Sequence, residues 1–332
     1  MCGFFAIFGN NLNKKNKFKN SSLLLRHRGP DSEKFLFNKN FYMYHSRLSI
    51  VDLREKANQP FRDNKERYFL IYNGEIYNYK ELKNLLKKNY NFKTKSDTEV
   101  LFNAFLEWGV DCLPKLKGMF SFAIWDNKKK KLYISRDNFG QKQLYYYKSK
   151  KNFCISSEIK PILNFYGLKK LDNHTVGNYI LENDYGPLDR TFFKDINQLS
   201  PGTYGVWENG NLNLSKYYLE KNLFDINSKK NESKNIIKKN IDKHLIGDVN
   251  VGLALSSGID SMSIFSLIKR SKLSHKLKKV FTIDFGNDFS EFNSVQKTLK
   301  KFKFNIERIK FHEKDVIKNF EKLLIVNEAP LG

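Results

Sequence analysis

The chain has 332 residues, 40% of them hydrophobic and 15% aromatic, and a formal net charge of +24. Such a composition excludes a disordered or collagen-like chain and suits two globular domains. No apolar run reaches the ~18 residues of a membrane span, and the first residues lack the basic-then-apolar pattern of a signal peptide.

Three cysteines (Cys2, Cys112, Cys154), odd in number and far apart, argue against a disulfide framework and predict a reducing, cytoplasmic setting. Of the 59 basic residues, 49 are Lys and 10 Arg. The Lys are scattered, as in KKNKFK (14–19) and NKKKKL (127–132), which read as solvated loops and turns. A phosphate-reading surface would use more Arg, whose fork pairs phosphate bidentately. The charge therefore reads as solvated surface and not as a nucleic-acid or membrane interface.

In chain order, FFAIFG (4–9), FYMYHSRLSIV (41–51) and RYFLIYNG (67–74) predict strands, being aromatic and β-branched and bounded by turn residues. YKELKNLL (79–86) and DTEVLFNAFLEWG (97–109) predict helices. In the second, Val100, Leu101, Ala104, Phe105 and Trp108 recur at helical spacing, Asp97 stands in the first turn and Gly109 supplies the stop. MFSFAIWD (119–126), KLYISRD (131–137) and NFCISSE (152–158) predict further strands. The segment 1–215 thus predicts a layered α+β domain. The polar stretch 216–235 predicts a linker. Beyond it come a helix at IIKKNIDKHLI (236–246), a strand–loop–helix at VNVGLALSSGIDSMSIFSLIKR (249–270), a strand at KKVFTIDF (278–285) and a helix at NSVQKTLKKF (293–302). That alternation predicts a parallel sheet over 236–332.

The candidate chemistry begins at MCGFFAIFG. Met1 precedes a small residue, so its removal would leave Cys2 with both a thiol and a free α-amine. The amine titrates near ~7.7–8 and can act as a general base at neutral pH. A thiol near ~8.5 needs modest help to become a nucleophile. Arg47, in the apolar strand HSRLSIVDL, is a cation that a bound carboxylate would satisfy. In YNGEIYNY, Asn73 offers an amide donor and Gly74 an unobstructed N–H, a pair that could hold a developing oxyanion. Glu75 and Asp97 offer carboxylates to a substrate ammonium. Each feature has an ordinary structural reading: a buried small residue for Cys2, an ion pair for Arg47, a hairpin turn for Asn73-Gly74, a helix start for Asp97. Together they describe a grip on both ends of an α-amino acid and an attack on its side-chain carbonyl. In the second half, LALSSGIDS (253–261) places small residues and hydroxyls at a helix N-terminus, an anion cradle.

MCGFFAIFG, RHRGPDS (26–32), SRLSIVDL, QPF (59–61), YNGEIYNY, SDTEVLFNAF, KGMFSFAIWD and SRDNFGQKQLYYY, in that order, resemble the class II glutamine amidotransferase domain of glutamine-hydrolysing asparagine synthetases. The resemblance covers essentially all of 1–215, with LSPGTYGVW (199–207) near its end. It implies an N-terminal-nucleophile hydrolase fold, an αββα sandwich, followed by an incomplete ATP-pyrophosphatase-like α/β domain over 236–332. It implies that Cys2 attacks glutamine's amide carbon and that Asn73 and Gly74 form the oxyanion hole. Arg47 would hold the α-carboxylate and Glu75 with Asp97 the α-amine, while the backbone of Leu48, Ser49, Ile50 and Val51 lines the pocket. LSSGIDS resembles the pyrophosphate loop of the synthetase domain, usually S-G-G-x-D-S-S, with Ser257 and Met262 as departures. Ser257 retains a backbone N–H and adds a hydroxyl, so phosphate binding is expected to survive wherever its φ is negative. Leu255, Ser256, Ser257, Gly258, Asp260, Ser261 and Ile283 would then contact ATP, with Asp260 placed to assist Mg²⁺.

The implied reaction releases ammonia from glutamine and uses it to amidate an ATP-activated aspartate side chain, giving asparagine, AMP and pyrophosphate. The substrates are glutamine, aspartate and ATP; no prosthetic group, membrane or nucleic acid is called for, and a homodimer is compatible. Two alternatives share the motifs: amidation of another carboxylate, such as a sugar acid, and bare glutaminase activity. Amidotransferases that make amino sugars or phosphoribosylamine share the first domain, but LSSGIDS fits neither second domain. Family members are typically longer, and a stretch like Glu328–Pro330 precedes further segments in them, so the chain reads as a fragment or truncated product.

Overall fold

A computed structural model describes residues 1–149, 152–184, 186, 189–218, 230–286 and 290–330. The chain divides into two compact units, Met1–Lys221 and Asn222–Leu331. The predicted linker spans that division, and 219–229 lies outside the described residues.

In the first unit the chain runs through β1 (Gly3–Gly9), α1 (Lys15–Ser22), β2 (Ser32–Asn38), β3 (Phe41–Arg47), β4 (Phe61–Arg62), β5 (Tyr68–Ile76), α2 (Tyr79–Leu86) and α3 (Asp97–Trp108). It continues through β6 (Gly118–Asp126), β7 (Lys131–Arg136), β8 (Tyr145–Lys148), β9 (Asn152–Ser156), α4 (Lys160–Tyr166), α5 (Asn173–Glu182), β10 (Ile196–Gln198), β11 (Thr203–Glu208) and β12 (Asn211–Lys216). Two six-stranded sheets form, ordered β10-β8-β9-β1-β3-β2 and β12-β11-β7-β6-β5-β4, with antiparallel pairings throughout.

Side-chain alternation stacks these sheets into four layers. Phe4, Ala6, Phe8, Phe41 and Met43 of one sheet meet Phe69, Ile71, Ala123 and Trp125 of the other in the central core. The opposite faces, Phe5, Ile7, Tyr42 and Tyr44 on one sheet and Leu70, Tyr72, Phe122 and Ile124 on the other, pack beneath helices: α1 and α4 on the first, α2 and α3 on the second. Both faces of a central strand are therefore apolar, which explains the uninterrupted runs FFAIF and FSFAIW. The result is the αββα sandwich.

The second unit runs through α6 (Lys230–His244), β13 (Val251–Ala254), α7 (Ile259–Lys269), β14 (Leu277–Asp284), α8 (Phe292–Lys301), β15 (Glu307–Lys310) and α9 (Glu313–Asn327). Its strands form a parallel sheet, β13-β14-β15. No helix among the described residues is long and apolar enough to cross a membrane.

Several local expectations change. KKNKFK is helix α1 and not a loop, because Phe18 is fully buried and stacks on Phe5. The strand at 41–51 stops at Arg47, since 48–51 leaves the sheet to form the pocket described below. Helix α6 starts at Lys230, inside the predicted linker. Strand β15 and helix α9 are additional: ERIK is a short, wholly exposed edge strand, and α9 leaves Ile317, Phe320 and Val326 at least half exposed.

Trp125 is 2% exposed and contacts Phe8, Phe41 and Trp207 at the centre of the sandwich. Trp125→Ala should destabilise the first unit by about 3–5 kcal/mol, read as a lowered urea midpoint with an unchanged slope.

Candidate active site

Strand β1 is hydrogen-bonded on both sides, to β3 and to β9, and every residue from Gly3 to Gly9 is buried. It delivers Cys2 to one end of the sandwich. The carbonyl of Cys2 accepts from Arg28 Nε at 2.9 Å, and Arg28 Nη1 donates to Glu158 at 2.8 Å. The turn at 26–32 lies flat on β3. A Cβ at Gly29 would stand 2.3 Å from the Ser46 carbonyl carbon, so only glycine fits. Asp31 accepts from the Ser49 N–H at 2.7 Å.

The thiol faces the loop after β3. The Leu48 N–H donates to Cys2 Sγ at 3.4 Å, and Sγ lies 3.6 Å from the Leu48 carbonyl. Burial raises the thiol's pKa, while the Leu48 N–H, the terminal ammonium and Arg47 lower it. Burial depresses the Met1 α-amine below its ordinary value.

One pocket is lined by Met1, Cys2, Arg47, Leu48, Ile50, Val51, Asn73, Gly74, Glu75 and Asp97, together with Gln59, Tyr72, Thr98, Met119 and Lys142. Its volume of about 110 Å³ suits a small side chain and its head group. The guanidinium of Arg47 is fixed by four oxygens: Arg54 O (3.2 Å), Asn58 Oδ1 (2.9 Å), Val51 O (3.1 Å) and Asp52 O (2.6 Å). All four are neutral, so the cation is oriented without being neutralised.

Asn73 and Gly74 sit inside β5, paired with Ser121 and Phe120 of β6, and not at a hairpin turn. A Cβ on Gly74 would meet Met119 O at 2.2 Å. The Asn73 side chain is 1% exposed and its Nδ2 has no hydrogen-bond partner among the described residues. An unpaired buried amide costs roughly 1–3 kcal/mol, and this one lines the pocket.

Asp97 begins α3, whose N-cap is Ser96. Its Oδ2 accepts from Tyr72 OH (2.8 Å) and the Ile76 N–H (3.0 Å), and burial raises its pKa. Burial, reinforced by the charge of Asp97, pushes Glu75 up to about 7. His45, fully buried beside this cluster, donates Nε2–H to the Tyr72 carbonyl at 3.0 Å; burial lowers it to about 4, so it is neutral at pH 7.

The structure thus gathers Cys2, Arg47, Leu48, Ile50, Val51, Asn73, Gly74, Glu75 and Asp97 into one pocket. Ser49 is outside the lining, its N–H turned to Asp31. Sequence reasoning missed Tyr72, Gln59 and Lys142. Gln59 is recognisable only in three dimensions: its amide bonds both backbone groups of Tyr72, Nε2 donating to O at 3.1 Å and Oε1 accepting from N at 2.6 Å.

In the second unit, Gly258 caps α7, and Ser261 Oγ donates to Ser256 O at 2.9 Å. Ser257 does not take a positive φ. Its N–H and hydroxyl both donate to the Glu291 carboxylate, at 3.1 and 2.9 Å. The loop therefore already holds an anionic group. Asp260 lies in the first turn of α7, Leu255 is 4% exposed and Ile283 is 49% exposed.

The sandwich belongs to the glutamine amidotransferase domain family, which residues 1–218 match. Residues 232–332 match the asparagine synthase family, and the chain belongs to the glutamine-hydrolysing asparagine synthetases. It is 32% identical to asparagine synthetase (glutamine-hydrolyzing) 1 of Bacillus subtilis over 90% of this chain and 48% of that protein. It is 30% identical to a Methanocaldococcus jannaschii protein provisionally named asparagine synthetase (glutamine-hydrolyzing) 2, over 100% of this chain and 69% of that one. Amidase chry2 of Gibberella zeae is 27% identical over 93% of this chain and 49% of its own. The chain thus spans about half the length of the first of these relatives.

Cys112 and Cys154 are fully buried, whereas Cys2 is part-exposed. Iodoacetamide should therefore alkylate one thiol per native chain, at Cys2, and three in urea, counted by intact mass.

Proposed function

We propose that the first unit hydrolyses glutamine. Removal of Met1 frees the Cys2 α-amine, which takes the thiol proton as Sγ attacks the side-chain amide carbon. Asn73 Nδ2–H and the Gly74 N–H receive the oxyanion, and the amine returns the proton to the departing ammonia. Water then cleaves the glutamyl thioester to glutamate. Arg47 holds the α-carboxylate, Glu75 and Asp97 the α-ammonium, and the backbone of Leu48, Ile50 and Val51 borders the substrate. The observation that carries this reading is the buried, unpartnered Asn73 amide in the same pocket as the thiol, a cation and two carboxylates.

The domain reading is a glutamine amidotransferase domain over 1–215, a linker over 216–235 and the N-terminal part of a synthetase domain over 236–332, acting in the cytoplasm. The ammonia amidates an aspartate side chain that ATP has adenylated, giving asparagine, AMP and pyrophosphate. The loop 256–261 fits phosphate, since Ser257 presents its N–H and hydroxyl to a carboxylate oxygen pair. Asp260 would assist Mg²⁺. A second acceptor is favoured by the relatives named amidases: a carboxylate other than aspartate, distinguished by assaying glutamine- and ATP-dependent pyrophosphate release across carboxylic acids.

Cys2→Ala should abolish glutamate formation from glutamine, and so should one extra residue retained ahead of Cys2 in a folded protein. Persistent hydrolysis in either would overturn the mechanism. Asn73→Ala should lower kcat by about 10²–10³ with little change in KM, as for loss of one oxyanion donor.

Glu75 binds an ammonium only when ionised. Its folded pKa is raised to about 7, so protonation on lowering the pH through that value should raise the KM for glutamine. Glu75→Gln should raise KM at neutral pH and flatten its dependence there.

A further inference from the structure

Lys142 is 7% exposed and lines the same pocket as Cys2 and Glu75. Its backbone is fixed on both sides. The N–H donates to the fully buried Asp137 at 3.0 Å, and the carbonyl accepts from Arg136 Nε at 2.9 Å. Asp137 also gathers the N–H groups of Phe139 and Gln141, and Arg136 reaches Gly140 and Leu199. The loop 137–142 is thus built around two buried neighbouring side chains, Arg136 and Asp137, and it aims the Lys142 side chain at the chain terminus.

The ammonium has an unusual partner. Among the described residues its one hydrogen-bond acceptor is the Met1 thioether, at 3.2 Å, and no carboxylate lies within ion-pair distance. Thioether sulfur is a weak acceptor. Removal of Met1 takes away that contact and brings the α-amine onto Cys2. A buried ammonium without an acceptor is costly, so it favours whichever neighbouring state exposes a lone pair or a negative charge. Those neighbours are the Cys2 thiol, the new α-amine and Glu75. Coulombic coupling already links Lys142 to Glu75 and Cys2, and its charge depresses the α-amine.

We infer that Lys142 is a positioning residue of the nucleophile centre, whose charge holds the Cys2 thiol and α-amine toward their deprotonated forms once Met1 has left. This rests on Cys2 being the nucleophile proposed above. Other charged and titratable groups facing Cys2 are Arg28 and Asp31 from the 26–32 turn, Arg47 from β3, Tyr72 and Glu75 from β5, and Asp97 from α3. Arg28 is bound to Glu158 and Arg47 is held by four neutral oxygens. Lys142 is the cation that loses its acceptor on maturation.

The test is the pH dependence of Cys2 alkylation by iodoacetamide in the full chain lacking Met1, read by mass. Lys142→Met should raise the midpoint by about one pH unit, the size expected from removing a nearby opposite charge, and slow the reaction roughly tenfold at neutral pH. Lys142→Arg should restore most of the shift. Where Lys142→Met fails to fold, Lys142→Gln serves with the same expectation. An unchanged midpoint in a folded, uncharged variant overturns the inference, as does failure of Lys142→Arg to restore it. The readout requires no glutamine. A shifted midpoint in a chain that releases no ammonia from glutamine would sustain this role and sink the glutaminase reading.

Discussion

A thiol at the second position of a chain has almost no backbone before it to hold it in place, and termini fray unless tied down. This fold meets that constraint by making the terminal strand a central one. β1 is paired to β3 and β9 and buried on both faces, by the sandwich core on one side and by α1 and α4 on the other. The last free peptide unit is then clamped by Arg28 on the Cys2 carbonyl. The turn that carries Arg28 can lie that close because Gly29 has no side chain to strike β3. Strand, turn and arginine together turn a position that normally frays into one with defined geometry.

The same end of the sandwich concentrates charge. Arg28, Arg47 and Lys142 stand around the thiol against Asp31, Glu75 and Asp97. All but the exposed Asp31 are buried or half-buried, so their effects on one another are large compared with those of surface charges. Two of them are held by fixed dipoles. Arg47 is held by carbonyl oxygens, Asp97 by a tyrosine hydroxyl and a backbone N–H. Such groups keep their orientation without cancelling their charge. Asn73 is the neutral counterpart: a buried donor with no hydrogen-bond partner among the described residues.

The second unit applies a simpler rule. A strand runs into a short loop of small residues, and the helix that follows opens on Gly258. Replacing the usual glycine by Ser257 leaves the backbone in a common conformation and adds a hydroxyl that shares the N–H's acceptor. Both donors of Ser257 face the carboxylate of Glu291.

Much of this was legible because the relevant residues are chemically out of place in their surroundings. A thiol before an apolar strand, an arginine within one and an asparagine-glycine pair continuing one each violate the pattern of a buried element. The layered fold was legible for the complementary reason, that strands apolar on both faces must be covered on both. What escaped obeyed ordinary patterns. α1 looks like a solvated lysine run, since a single buried Phe18 decides its fate. β15, ERIK, escaped because three of its four residues are charged, which is not the pattern of a buried strand. Lys142 escaped for a related reason: one lysine among 49 in a basic chain has no local mark. Its distinction is conferred by Asp137 and Arg136, whose buried side chains bind the backbone of 139–142 and leave the lysine no direction but inward. A functional side chain whose placement is enforced by its neighbours' hydrogen bonds leaves its trace in those neighbours, and here that trace is the pair Arg136–Asp137 in SRDNFGQK.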